Sequence, residues 1–401
     1  MPLSHLECAQ CGRRHDPDRL QTVCGGCGGT LLARYDLEGI GREAIGTDRS
    51  LWRYRAVLPV RGREAEVSLG EGWTPLLPLL RVPGLGRLWL KDEGCNPTGT
   101  FKARGAAVGL ARARELGARH VALPTAGNAG GAWSAYAARA GLAITVVMPA
   151  DATDAAKAEC AAYGARAYAV DGLIGDAGAL VGEAARARGW FDASTLREPY
   201  RVEGKKTIAY EIAEAFGWRL PDAVLCPVGG GVGVVALHKA FAELRALGWV
   251  PGEGVRLVAV QSAGCAPVVR AFAAGAERTE PWEGVHTDIG GLRVPSPFGG
   301  ALVLRALRES GGTAVAVADA DIHGAVRELA ATHGILACPE GAATLAAARM
   351  LRAAGWLRET DRVVLLNTGS GLKYPAPVAP RLPVLGRREP LPAEAGQPPL
   401  R

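Results

Sequence analysis

From about residue 85 onward, short apolar runs rich in β-branched residues alternate with longer stretches whose apolar positions recur at helical spacing. Residues 121–124, 143–148, 165–170, 223–226, 255–261 and 363–366 read as strands. Residues 128–140, 154–163, 176–188, 205–216 and 234–247 read as helices. A further strand at 87–90 runs into an Asn96-Pro97-Thr98-Gly99 turn, and a helix begins near Lys102. Such alternation predicts an α/β chain with mostly parallel sheets covered by helices.

The chain has 401 residues, enough for two domains with real cores. It contains no apolar stretch long enough to span a bilayer, and Met1-Pro2-Leu3-Ser4-His5 lacks the features of a signal peptide. The expectation is a cytoplasmic protein with no membrane partner. The net charge of +6 comes mostly from scattered Arg, with no basic run carrying interleaved aromatics, so no nucleic-acid partner is expected. Residues 377–401 are dense in proline and lack periodicity, which predicts an extended or disordered arm.

The cysteines fall into two groups. Cys8, Cys11, Cys24 and Cys27 form two CxxC pairs separated by twelve residues, each followed by glycines that suit tight turns. Four thiolates on two turns predict a tetrahedral structural zinc in a ribbon-like knuckle over residues 1–35. A redox pair or a knuckle without metal is the alternative. Cys95, Cys160, Cys226, Cys265 and Cys338 are scattered singly, which argues against a disulfide framework.

Three strand-to-helix or strand-to-turn junctions carry groups suited to chemistry. Gly229, Gly230, Gly231 and Gly233 follow a strand and precede a helix, so their backbone N–H groups can wrap a phosphate. No dinucleotide fingerprint and no Walker Lys-Ser/Thr accompany them, so a single phosphate monoester fits better. Thr125, Ala126, Gly127 and Asn128 open another helix and suit a substrate carboxylate, with Asn128 able to donate to a ring oxygen or simply to cap its helix. Thr368 ends a late strand and can face a heteroaromatic nitrogen. Lys102 begins a helix, whose dipole opposes its charge and favours a neutral nucleophilic amine. A lysine nucleophile, a phosphate cup, a carboxylate loop and a ring-nitrogen partner together describe a pyridoxal 5′-phosphate site at the carboxyl ends of parallel strands.

The chain resembles the fold-type II pyridoxal-phosphate enzymes and, within them, the threonine synthases. Glu71 to Leu76 is similar to EGxTPL, Asn96 to Gly105 to NPTGSFKDRG, and Pro199 to Thr207 to NPxRxEGxKT. Thr125 to Asn128 resembles S/T-x-G-N and Thr368 to Lys373 resembles TGxGLK; a cysteine knuckle also occurs on some threonine synthases. The resemblance implies two three-layer αβα domains: a large one from 36–105 and 197–376, and a small one from 106–196 inserted in it. It implies a homodimer and a small amino-acid substrate. It also implies that Lys102 carries the cofactor and later moves protons, Phe101 abuts it, Asn128 bonds its 3′-oxygen, and Thr368 faces its nitrogen. Thr125 with the neighbouring amides would hold the substrate carboxylate.

Some positions depart from the pattern. Ala103 and Ala126 replace Asp and Thr, and Thr195-Leu196 stands where Asn-Ser often receives the substrate phosphate. The late turn reads Cys338-Pro339-Glu340, with its acid after the proline. Arg201 is then the expected phosphate anchor. The leading expectation is conversion of O-phospho-L-homoserine and water to L-threonine and phosphate. The alternatives are a threonine or serine dehydratase, which needs no second phosphate site, and a zinc-ribbon interaction protein on an inactive enzyme body.

Overall fold

The computed structural model describes residues 2–252 and 254–374, together with positions 384, 385 and 387. The proline-rich arm expected over 377–401 lies outside the described residues apart from those three positions. In chain order the first elements are β1 (Leu3–Cys8), β2 (Arg14–His15), β3 (Leu31–Tyr35), β4 (Leu76–Pro78), β5 (Leu88–Asp92) and α1 (Lys102–Glu115). There follow β6 (His120–Pro124), α2 (Asn128–Ala140), β7 (Ala143–Pro149), α3 (Asp154–Ala162), β8 (Arg166–Val170), α4 (Ile174–Arg188) and β9 (Phe191–Asp192). The last are α5 (Arg201–Ala215), β10 (Ala223–Pro227), α6 (Val232–Ala246), β11 (Arg256–Ser262), α7 (Pro267–Ala273), α8 (Gly300–Glu309), β12 (Thr313–Val317), α9 (Asp319–His333), α10 (Pro339–Ala353) and β13 (Val363–Asn367).

These strands make three sheets. The largest has the order β12-β11-β10-β13-β5-β4 and is parallel except for the edge strand β4. The second, β8-β7-β6-β9, is wholly parallel. Its strands fall between β5 and β10 in the chain, so it is an insertion into the larger sheet's path. A small antiparallel sheet, β2-β1-β3, carries the cysteine knuckle. The central strands β10 and β13 are covered on both faces, which is why they read as unbroken apolar runs.

Close helix packing explains the Ala and Gly content. A Cβ on Gly109 of α1 would lie 2.6 Å from the Trp133 ring of α2, so only glycine lets these helices approach around that indole. Helix α5 is buried along Arg201–Ala213, wedged between α1 and α6. It starts four residues before the helix start expected at 205. The carboxylate of Glu198 accepts the backbone N–H groups of Tyr200 at 2.8 Å and Arg201 at 3.1 Å, doing the work of a cap with a residue type that does not announce one. Among the described residues no helix is long and apolar enough to cross a membrane.

Candidate active site

Three neighbouring strands of the large sheet deliver three of the candidate groups. β5 leads through the Asn-Pro-Thr-Gly turn to Lys102, β10 leads to the glycines, and β13 ends at Thr368. The fourth group, Thr125 to Asn128, follows β6 of the inserted sheet and faces them across a cavity of about 1520 Å³. Lys102, Thr125, Asn128 and Gly230 all line that cavity.

Lys102 is the first residue of α1. Burial, then the charge of Arg201, pushes its amine down to about 8. The sequence pointed to the helix terminus as the cause, whereas the fold supplies burial and a second cation. Phe101 packs beside it, with Lys102 Nζ 4.8 Å from the ring centroid. The turn is held from below by a fully buried ionic network. Arg104 makes paired bonds to Glu93 at 2.6 and 2.7 Å and to Glu211 at 2.5 and 2.8 Å. Lys91 meets Glu211 at 2.6 Å, and Thr74 donates to Glu93 at 2.6 Å. Asn96 of the turn donates to Glu93 as well. The motif residues at 74, 96 and 104 are thus partners in one network.

The glycines are required by close approach. A Cβ on Gly229 would fall 2.2 Å from the Gly291 carbonyl oxygen, and one on Gly231 2.3 Å from Val303. Gly231 also has φ +83° as it turns into α6. A Cβ on Gly233 would meet Cys226 Sγ at 2.8 Å, and one on Gly230 would meet Thr195 at 3.1 Å. The result is a bare backbone cup at the N-terminus of α6.

Thr125 is occupied by its own loop. Its hydroxyl accepts from Gly127 N at 3.0 Å and Gly130 N at 3.1 Å, and donates to the Gly127 carbonyl at 3.1 Å. It therefore shapes the turn, and Gly127 takes φ +151° there. Asn128 does not cap α2. Its amide nitrogen instead donates to Tyr374 Oη at 2.5 Å. Tyr374 also bonds Glu340 Oε1 at 3.1 Å, and Glu340 accepts from Gly291 N at 2.9 Å. Glu340 Oε2 is buried without a partner. Thr368 Oγ1 lies 3.4 Å from Cys338 Sγ, beside this acid.

Arg201 is buried, and each of its three nitrogens has a partner in the protein. It pairs with Glu198 at 2.7 Å, donates to Thr195 Oγ1 at 2.9 Å and to the Ala193 carbonyl, and lies 4.8 Å from the Trp133 ring centroid. Tyr374, Gly291 and Lys205 were not singled out from the sequence, and Glu340 was noted only as the acid after the proline of the late turn. The Gly290-Gly291 pair and the acid of the Cys338-Pro339-Glu340 turn were visible signals; Tyr374 carried none beyond following TGxGLK.

Residues 67–369 match the family described as pyridoxal-phosphate dependent enzyme. The chain belongs to this family. It is 36% identical over 381 residues to a threonine synthase from Methanosarcina acetivorans, covering 93% of each chain. It is 35% identical to a threonine synthase from Methanocaldococcus jannaschii, covering 92% of each. Among solved structures it resembles diaminopropionate ammonia lyase from Escherichia coli with a TM-score of 0.66 at 19% identity, covering 77% of this chain and 87% of that one. That likeness bears on the fold alone, and it places this pyridoxal-phosphate enzyme in fold type II.

The residues fit the cofactor. The cup has no room for side chains at 229, 231 and 233, a half-buried lysine lines the same cavity as Gly230, and the Glu340 carboxylate, bonded to the cavity-lining Gly291 and Tyr374, keeps one buried oxygen unpartnered. In the knuckle, Sγ atoms of Cys8 and Cys27 lie 3.5 Å apart and those of Cys11 and Cys24 3.7 Å apart, with all four within 4.8 Å. Tetrahedral zinc with bonds of about 2.3 Å sets its sulfurs about 3.8 Å apart, so this cluster has a matching size.

Proposed function

We propose that this enzyme is a threonine synthase, a carbon–oxygen lyase that converts O-phospho-L-homoserine and water into L-threonine and phosphate. The observation that carries the reading is identity of 36% and 35% to threonine synthases along nearly the whole chain, with Lys102 set at the junction where the three strands converge. When bound, pyridoxal phosphate supplies the electron sink that lets the substrate's Cα proton be lost. Lys102 would hold the cofactor covalently through its neutral amine and, once displaced by the substrate, take that proton and return it. The glycine cup would hold the cofactor phosphate at the start of α6. The free amides of Asn128 and Ala129, at the start of α2, would hold the substrate carboxylate, since the Thr125 hydroxyl is already engaged. Thr368 would face the ring nitrogen as a neutral partner, which suits elimination and addition more than transamination.

A structural zinc on Cys8, Cys11, Cys24 and Cys27 belongs to this reading, supported by the sulfur spacing. So does a homodimer in the cytoplasm, supported by the family resemblance. The dehydratase reading is favoured by one observation, the placement of Arg201, which is buried on Glu198, Thr195 and the Ala193 carbonyl and does not line the cavity where a substrate phosphate would sit. The deciding experiment is phosphate release from O-phospho-L-homoserine by the cofactor-loaded protein. Release with stoichiometric L-threonine supports the synthase. No release, with ammonia formed from L-threonine or L-serine, supports the dehydratase.

A further inference from the structure

The cavity that holds Lys102 and Asn128 has an unexpected wall. Leu20, Gln21, Thr22 and Val23, the segment running into Cys24 of the knuckle, line the same space. The knuckle is also joined to the enzyme body at several points that bear on the site. Arg112 of α1, its side chain buried, donates to the Pro17 carbonyl at 2.8 Å and pairs with Asp18 at 2.6 Å, while Arg61 grips the same Asp18 at 2.7 Å. Tyr35, at the end of β3, donates to Glu203 of α5 at 2.7 Å. Tyr200 is fully buried in one apolar cluster with Leu6, Cys8, Cys24 and Leu31. The next residue is Arg201, which bonds Thr195, and Thr195 lies against Gly230 of the cup.

The knuckle has little else to hold its shape. Its sheet includes a strand of only two residues, and its apolar cluster is small. Modules of this kind draw their order from the metal they bind. We infer that the knuckle forms a wall of the substrate cavity, kept in place by metal on Cys8, Cys11, Cys24 and Cys27, and that Leu20 to Val23 are specificity-determining residues. This rests on the synthase and zinc readings above. The wall is apolar or neutral at all four positions, so it bounds the cavity by shape and leaves charge recognition to the other walls. Loss of the metal should loosen the wall and leave the cofactor cup, built from β10 and α6, intact.

The test uses the full-length holoenzyme. Cys11→Ser with Cys27→Ser removes the two exposed ligands, and a chromogenic chelator measures the metal lost. The expected result is unchanged cofactor content, measured by its bound absorbance, with KM for O-phospho-L-homoserine raised about tenfold, equivalent to about 1.4 kcal/mol. Leu20→Trp, which keeps every metal ligand, supplies an independent readout. Its added fluorescence over the parent should change when O-phospho-L-homoserine, L-threonine or L-serine is titrated in, whether or not turnover follows. A metal-free variant with the parent's KM, or an added indole blind to all three ligands, would overturn the proposal. If the parent releases no phosphate yet the indole responds, the synthase reading fails and the wall stands.

Discussion

Across the cleft, the side-chain amide of Asn128 donates to the hydroxyl of Tyr374 at 2.5 Å. The two residues come from different sheets: Asn128 opens α2 in the inserted layer, and Tyr374 lies seven residues past the end of β13 (Asn367). The phenol turns its own proton toward Glu340, so its acceptor side is the one presented to Asn128. Burial holds the phenol well above its ordinary titration range, so it keeps donating through neutral pH. This holds the Asn128 amide in one orientation.

Tyr374→Phe should therefore weaken cofactor binding through Asn128. One hydrogen bond is worth about 1 kcal/mol, which predicts a loss of about fivefold in affinity. Titrating the cofactor-free variant with pyridoxal phosphate and following absorbance measures it. Parent-like affinity would mean that Asn128 is oriented by something other than the phenol.

Lys102 sets a pH expectation. Burial and the Arg201 charge lower its amine to about 8. Below that pH the folded protein holds a protonated amine that cannot attack an aldehyde; above it the amine is neutral. The rate of cofactor capture by the cofactor-free protein should rise with pH and level off above about 8, well short of an ordinary lysine's 10.5. Borohydride trapping across a pH series reads this directly. Lys102→Ala should trap no cofactor at any pH, and retention of full turnover in that variant would remove Lys102 from the site.

The network beneath the turn makes the stability prediction. Breaking a buried ion pair by removing one partner costs about 3–5 kcal/mol, because the remaining charge stays buried. Arg104→Ala leaves Glu93 buried without a cation and Glu211 with Lys91 alone. Its unfolding midpoint in urea should fall accordingly. Burial would raise the Glu211 carboxyl, but Arg104 and Lys91 outweigh it and hold it at about 2 against an ordinary 4.5. A depressed carboxyl stabilises the fold fully above about 4.5, and that stability is lost as pH falls toward 2. Glu211→Gln should flatten this part of the acid-unfolding curve, and an unchanged curve would place the acid sensitivity elsewhere.

Most of the architecture was legible because its physics is local. Apolar runs such as Val363–Asn367, buried on both faces, cannot be mistaken for exposed segments. The start of α5 was not legible, because Glu198 caps it from outside the usual cap residues. The loops at Gly229 and Thr125 were legible as glycine-rich junctions, but what Thr125 does there was not. Its hydroxyl faces its own loop, and nothing in the residue type distinguishes that from facing a ligand. Tyr374 and Arg201 show the same limit from opposite sides. One reaches Asn128 from 246 positions away in the chain, and the other is turned by the fold onto Glu198, Thr195 and the Ala193 carbonyl and away from the cavity lining.

Lys205 offers the last test. It follows Arg201 by one turn on α5, its amine is buried, and it makes no hydrogen bond or ion pair among the described residues. Its Nζ lies 4.8 Å from the Phe101 ring centroid, in space that only Gly105 leaves open; a Cβ there would be 2.5 Å away. Burial first, and then the charges of Lys102 and Arg201, push this amine well below its ordinary 10.5. The unfolded chain takes up a proton below 10.5 that the folded chain resists, so Lys205 destabilises the fold at neutral pH, and the cost shrinks as pH rises toward 10.5. Lys205→Met keeps the volume and removes the amine. It should stabilise the protein by about 1–3 kcal/mol, the usual cost of a buried polar group without a partner. It should also flatten the rise in stability on going from neutral pH toward 10.5. Urea unfolding at two pH values measures both. A lower midpoint would mean that the amine has found compensation, whereas a higher midpoint with reduced turnover would mark Lys205 as a group kept for function at a cost in stability.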